Sequence, residues 1–167
     1  MATSTITYSA ATTITISPAS LGSSTTFVAG RESTEVDNTT NKYIDVLVQG
    51  FVTSGTSPTV DKTLRLYVWG SHTSLGTTAL DVLDGTDSAE TFTSTEIHKS
   101  ITTLVKALAI NATSSQKYHF KPFSLAHIFG QVPQYWGLYL SHDTGVNLHS
   151  TAGNHEFKYT GIKFDNT

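Results

Sequence analysis

Apolar residues along this chain alternate with polar ones more often than they recur at helical spacing, the signature of strands rather than helices. Residues 43–53 set Ile44, Val46 and Val48 on one face of an extended strand and Tyr43, Leu47 and Phe51 on the other. Residues 63–70, TLRLYVWG, do the same with Leu64, Leu66 and Val68 against Arg65, Tyr67 and Trp69. Shorter stretches predict strands at 12–17 (Ile14 and Ile16 on one face), 25–29, 104–110, 118–123, 135–142 and 156–164. Only residues 124–130 read as a helix, with Ser124 as N-cap and Gly130 just past its end. Residues 94–103 are ambiguous: Thr93-x-x-Glu96 fits a capping box, whereas Ile101-Thr102-Thr103 reads as extended. A long polar excursion, 71–90, contains Asp84-Gly85, a favoured hairpin dipeptide. Excursions of that length are usually functional or contacting loops.

Short strands separated by turn residues predict an all-β, single-domain β-sandwich or jelly roll with one short helix and an extended N-terminal segment. Residues 1–24 form an N-terminal arm or edge strand, and 25–167 the sandwich. No internal repeat or linker divides the chain, and 167 residues bury roughly 70% of the unfolded surface without a staple. The composition agrees. Charged residues make up 14%, and Thr about one residue in six, a β-branched residue that sits more comfortably on pleated surfaces than in helices.

Charge and composition also exclude functions. A net charge of −3, two arginines and no basic run leave no electrostatic face for nucleic acid. No stretch approaches the roughly 20 apolar residues of a membrane span. MATSTITYSA has neither a basic n-region nor an apolar core, so a cytoplasmic origin is expected. With no cysteine there is no disulfide framework, thiolate metal site or cysteine nucleophile.

Seven histidines, at 72, 98, 119, 127, 142, 149 and 155, never take a metal-ligand spacing on one helix or strand. His142-Asp143 with His149 and His155-Glu156 is the nearest set to a zinc or iron site, and polar loop residues are the simpler reading. Ser141-His142-Asp143 spells a triad, but adjacent strand residues point to opposite faces, so no enzyme is expected. Asp81, Asp84, Asp87 and Glu90 repeat every three residues, unlike a calcium loop, and read as a solvated acidic turn. No catalytic residue, cofactor or metal is assigned. Trp69, Trp136, Tyr67, Tyr135 and Tyr139 suit either the core or a sugar-binding platform.

Several distinctive strings resemble a family of structural proteins of tailed bacteriophages. They are GRESTEVDNTTNKY at 30–43, DVLDGTDSAETFT at 81–93, Tyr118 through Pro122-Phe123-Ser124 to Phe129-Gly130, and YWGLYLSHDTGVNL at 135–148, continuing to Asn154-His155 and Tyr159-Thr160. The resemblance implies a virion structural protein, a capsid decoration (cement) protein with a jelly-roll fold on the capsid exterior. Its partners would be the major capsid protein and itself, as a homotrimer first and a dimer next. Loops 30–41 and 71–90 and the N-terminal arm are the expected contacts, with Arg31, Glu32, Asp37, Asn38, Asp84 and Asp87 as candidate interface residues. The arm, short of large apolar residues, is expected to order along a neighbouring subunit. The alternative is a carbohydrate-binding or tail-associated β-sandwich module using Trp69 and Trp136.

Overall fold

The protein is described by a computed structural model covering residues 4–166; residues 1–3 of the expected arm lie outside it. Two antiparallel sheets pack as a β-sandwich. The first is built from β1 (Ser4–Tyr8), β2 (Thr12–Thr13), β5 (Asp45–Thr53), β9 (Lys117–Ser124) and β11 (Glu156–Asn166), in the order β1-β11-β5-β9, with β2 also on β11. The second contains β3 (Ala29–Glu32), β4 (Val36–Asp37), β6 (Thr63–Ser71), β7 (Ala89–Thr91), β8 (Thr103–Ala109) and β10 (Tyr135–His142), in the order β7-β3-β10-β6-β8, with β4 also on β10. The chain crosses between the sheets from β2 to β3, β4 to β5, β5 to β6, β8 to β9, β9 to β10 and β10 to β11, the interleaving of a jelly roll.

Alternation decides what each strand buries. Val46, Val48 and Val52 of β5 face Leu64, Leu66 and Val68 of β6 and Trp136, Leu138 and Leu140 of β10, all fully buried between the sheets. Burying such side chains contributes roughly 1.5–3 kcal/mol each. At the start of β5 the alternation slips. Tyr43 packs inward over Gly161, while Ile44, expected inside, stays exposed.

The second sheet is buried on its other face too. Tyr67, Trp69 and Tyr139 form a second cluster with Leu75 and Leu83 from the excursion after β6 and with Phe92 just past β7. Helix α1 (Thr95–Ile101) closes this layer, resolving the ambiguous stretch as helix. Its N-cap is Ser94, whose hydroxyl accepts from the Ile97 N–H, so the Thr93–Glu96 capping box does not form. The chain thus has two short α-helices among the described residues rather than the expected one, since α2 (Leu125–Phe129) forms as read, capped by Ser124 and ended by left-handed Gly130. Residues 25–27 form a turn where a strand was expected, and the strand starts only at Ala29.

The N-terminal segment finds its partner in its own chain. Tyr8 sits opposite Ile162 and Ser4 opposite Asn166, which makes β1 an edge strand of the first sheet. Ile14 is buried and its N–H donates to the Phe157 carbonyl.

Candidate functional site: a pinned excursion and a bare sheet face

The charged block that opens residues 30–50 holds down the excursion. Glu32, fully buried, accepts from the backbone N–H groups of Asp84 (3.1 Å) and Gly85 (3.0 Å). Glu35 accepts from the Leu75 N–H and the Ser74 hydroxyl, both at 2.7 Å. Arg31 pairs with Asp87 at 2.6 Å and donates to its carbonyl, while Ser17 donates twice to the same carboxylate. Three acidic side chains therefore fasten one loop at three points. Asp84-Gly85 is not a hairpin turn but the amide cradle for Glu32; Gly85 has φ +81°, a left-handed conformation that glycine adopts freely. Burial pushes Glu32 up to about 8 against the pull of its two amide bonds, with Asp84 and Glu90 nearby adding to the rise. Burial also raises Asp87, but Arg31 and Ser17 outweigh it and leave its carboxyl below the usual range.

The candidate interface residues thus divide. Glu32 and Asn38 point inward, Asn38 clamping both the N–H and the carbonyl of Tyr43. Arg31 and Asp87 spend their charges on each other. Asp37 and Asp84 remain exposed, each turned onto a nearby backbone N–H, of Thr39 and Thr86.

The other candidates take structural roles. Ser141 donates to the Ala29 carbonyl, Asp143 accepts from the Thr63 N–H, and His142 bonds Thr144 and the Leu21 carbonyl, three separate environments. His155 bonds the carbonyl of His149, and burial lowers the pKa of both His142 and His155. Asp81 holds Thr93 while Glu90 accepts from Ser88, so the acidic repeat does not converge. No group of three histidine, aspartate or glutamate side chains that could hold a metal gathers among the described residues. Trp69 and Trp136 are fully buried, so neither can present a face to a sugar.

His98, one of the seven histidines, has no local pattern that marks it out. It is buried against Tyr67 (4.4 Å between ring centroids), Phe92 (4.5 Å, stacked) and Tyr139 (5.2 Å). Burial, helped by the Arg65 and Lys99 charges, pushes its pKa down to about 4, and it packs as a neutral aromatic. Only its place on α1 over the second sheet brings these rings together.

Among the described residues nothing comparable covers the outer face of the first sheet. A register shift between β5 and β9 opens a hollow of about 280 Å³ lined by Phe51, His119, Lys121, Pro122, Glu156 and Lys158. Lys117 lies over the Phe51 ring at 4.6 Å. Lys158 pairs with Glu156 at 2.9 Å, leaving Lys117 and Lys121 as positive charge in excess on this stretch. Toward β1 the same face turns apolar, with Ile6, Tyr8 and Phe164 exposed. Comparison of the chain with protein-family models and with curated proteins finds no match.

Proposed function

We propose that this chain is a virion structural protein of a tailed phage, a capsid decoration (cement) protein that docks on assembled major capsid subunits and bridges them. The observation that carries the reading is the asymmetry of the sandwich. One sheet is sealed on its outside by the chain's own excursion, and the other presents a broad, bare, mixed basic and apolar face. A rigid scaffold with one uncovered face suits a protein that acts by binding. The phage-like strings at 30–43, 81–93, 118–130 and 135–160 supply the class of partner. By mass action, a protein that binds only the assembled shell stabilises it against dissociation. Lys117 and Lys121, exposed on β9, are the charged side chains that this face offers for that contact. Co-sedimentation of purified protein with capsids lacking it, and the heat resistance of those particles with and without it, test the reading. Binding with raised heat resistance is expected. Failure to bind, or density on the tail in images of intact particles, overturns it.

A further inference from the structure

Four of the six large hydrophobic side chains left exposed among the described residues gather where β1 meets the end of β11. Ile6 is 58% exposed, Tyr8 66%, Phe164 56% and Ile44 45%. The antiparallel register puts Ile6 opposite Phe164 and Tyr8 opposite Ile162, so these four side chains share one face. Ile44 lies beside them on the other side of β11, its N–H bonded to the Ile162 carbonyl.

This cluster flanks an open backbone edge. Among the described residues the first sheet ends at β1, whose second edge has no partner strand. Exposed edges are normally blunted by charge, proline, brevity or a bulge. The remaining edges carry such devices: Lys117, Lys121 and Pro122 on β9, Lys106 and a register shift on β8, and a length of three residues with Glu90 on β7. The β1 sequence, Ser-Thr-Ile-Thr-Tyr, has no charge and no proline, and it pairs with β11 without a shift.

We infer that β1 is a self-association edge, along which two copies of this chain join antiparallel about a two-fold axis at Ile6. Such pairing sets Ile6 against Ile6 of the second copy, Thr5 against Thr7, and Ser4 against Tyr8. These pairs place no like charges opposite one another, and Thr–Thr pairs are favourable across strands. The nearest charges, Lys163 and Asp165, already pair at 3.4 Å one strand further in. Main-chain bonds along the edge supply the affinity, as in other strand additions. A two-fold contact needs only this one patch, whereas a three-fold ring needs two different ones.

Area sets the strength. With aromatic side chains offering ~150–250 Å² each, the exposures place the cluster at roughly 450 Å² per copy. Two copies withdraw at most about 900 Å² of it from water, below the ~1,200–2,000 Å² of a stable interface. The pair is therefore weak in dilute solution and forms when copies are concentrated or held side by side. This inference stands apart from the virion reading, because the isolated chain tests it.

Light scattering and sedimentation of the full chain, from low micromolar to near-millimolar, should show its mass rising from 18.0 kDa toward twice that value and no further. Hydrogen exchange should show β1 amides gaining protection over the same range. Ile6→Lys should weaken pairing by at least about tenfold, and Phe164→Lys, which leaves the β1 sequence intact, should weaken it as well. Leu104→Lys, at the exposed leucine of β8, should leave it unchanged. A mass that stays monomeric, growth past two copies, unaltered pairing in both ribbon variants, or loss of pairing in Leu104→Lys would each overturn the inference.

Discussion

Single residues in this protein are chosen by what lies directly above or beside them. Gly137 pairs with Trp69 across β10 and β6, and the indole lies where a Cβ would otherwise stand. Gly137→Ala should cost about 1–3 kcal/mol by overpacking, read as a lower urea midpoint. Two buried titratable groups pull the stability in opposite directions with pH. Between 4.5 and about 8 the folded chain keeps a proton on Glu32 that the unfolded chain has released, so stability falls as pH rises through that window. Between about 4 and 6.5 the unfolded chain protonates His98 while the folded one does not, so stability rises with pH there. His142 and His155, also lowered by burial, act in the same direction as His98. Thermal melts should therefore peak near pH 6.5 and decline toward pH 8. In Glu32→Gln the alkaline decline should flatten; an unchanged decline would show that another group sets it.

Elements here owe their places to a few local signals and one long-range partner each. Helix α2 is short, and its first turn depends on Ser124, whose hydroxyl accepts from the His127 N–H and donates to Asp45, which in turn accepts from the Ala126 N–H. Ser124→Ala should cost about 1 kcal/mol, with the change confined in hydrogen exchange to α2 and the start of β5. The N-terminal segment has two parts of different weight. Residues 4–8 bury little, whereas Ile14 is 3% exposed and tied to Phe157. Deleting residues 1–9 should leave cooperative unfolding of the remaining chain. Deleting residues 1–16 should cost about 2–5 kcal/mol through loss of the Ile14 side chain. Equal stability of the two truncations would show that β2 and Ile14 are dispensable.

At the scale of the whole molecule, the sandwich is lopsided. The excursion and α1 make a third layer over the second sheet, pinned by Glu32, Glu35 and the Arg31–Asp87 pair. Arg31→Ala removes the charge that holds Asp87 and should loosen this layer, seen as faster proteolysis within residues 72–94, while the core between the sheets stays protected. The uncovered sheet is the surface proposed for binding, and its apolar end the edge proposed for self-pairing. Truncation of the excursion would expose Tyr67, Trp69 and Tyr139 and should cause aggregation.

The sequence by itself determined the class of fold and the principal strands. Alternation in 43–53 and 63–70 depends only on the two-residue period of extended backbone, and the cap and stop of α2 depend only on Ser124 and Gly130. Even the double-sided apolar character of β6 was legible, because Tyr67 and Trp69 stand beside Leu66 and Val68. Tertiary structure decided the rest. Whether residues 94–103 coil or extend turned on the apolar face of the second sheet, which gives Ile97 and Ile101 something to cover. Whether Glu32 faced solvent or an amide cradle depended on a loop some fifty residues away, a distance no local pattern spans. The N-terminal segment became a strand because β11 offered it an edge, and its own second edge stayed open because no further strand among the described residues reaches it.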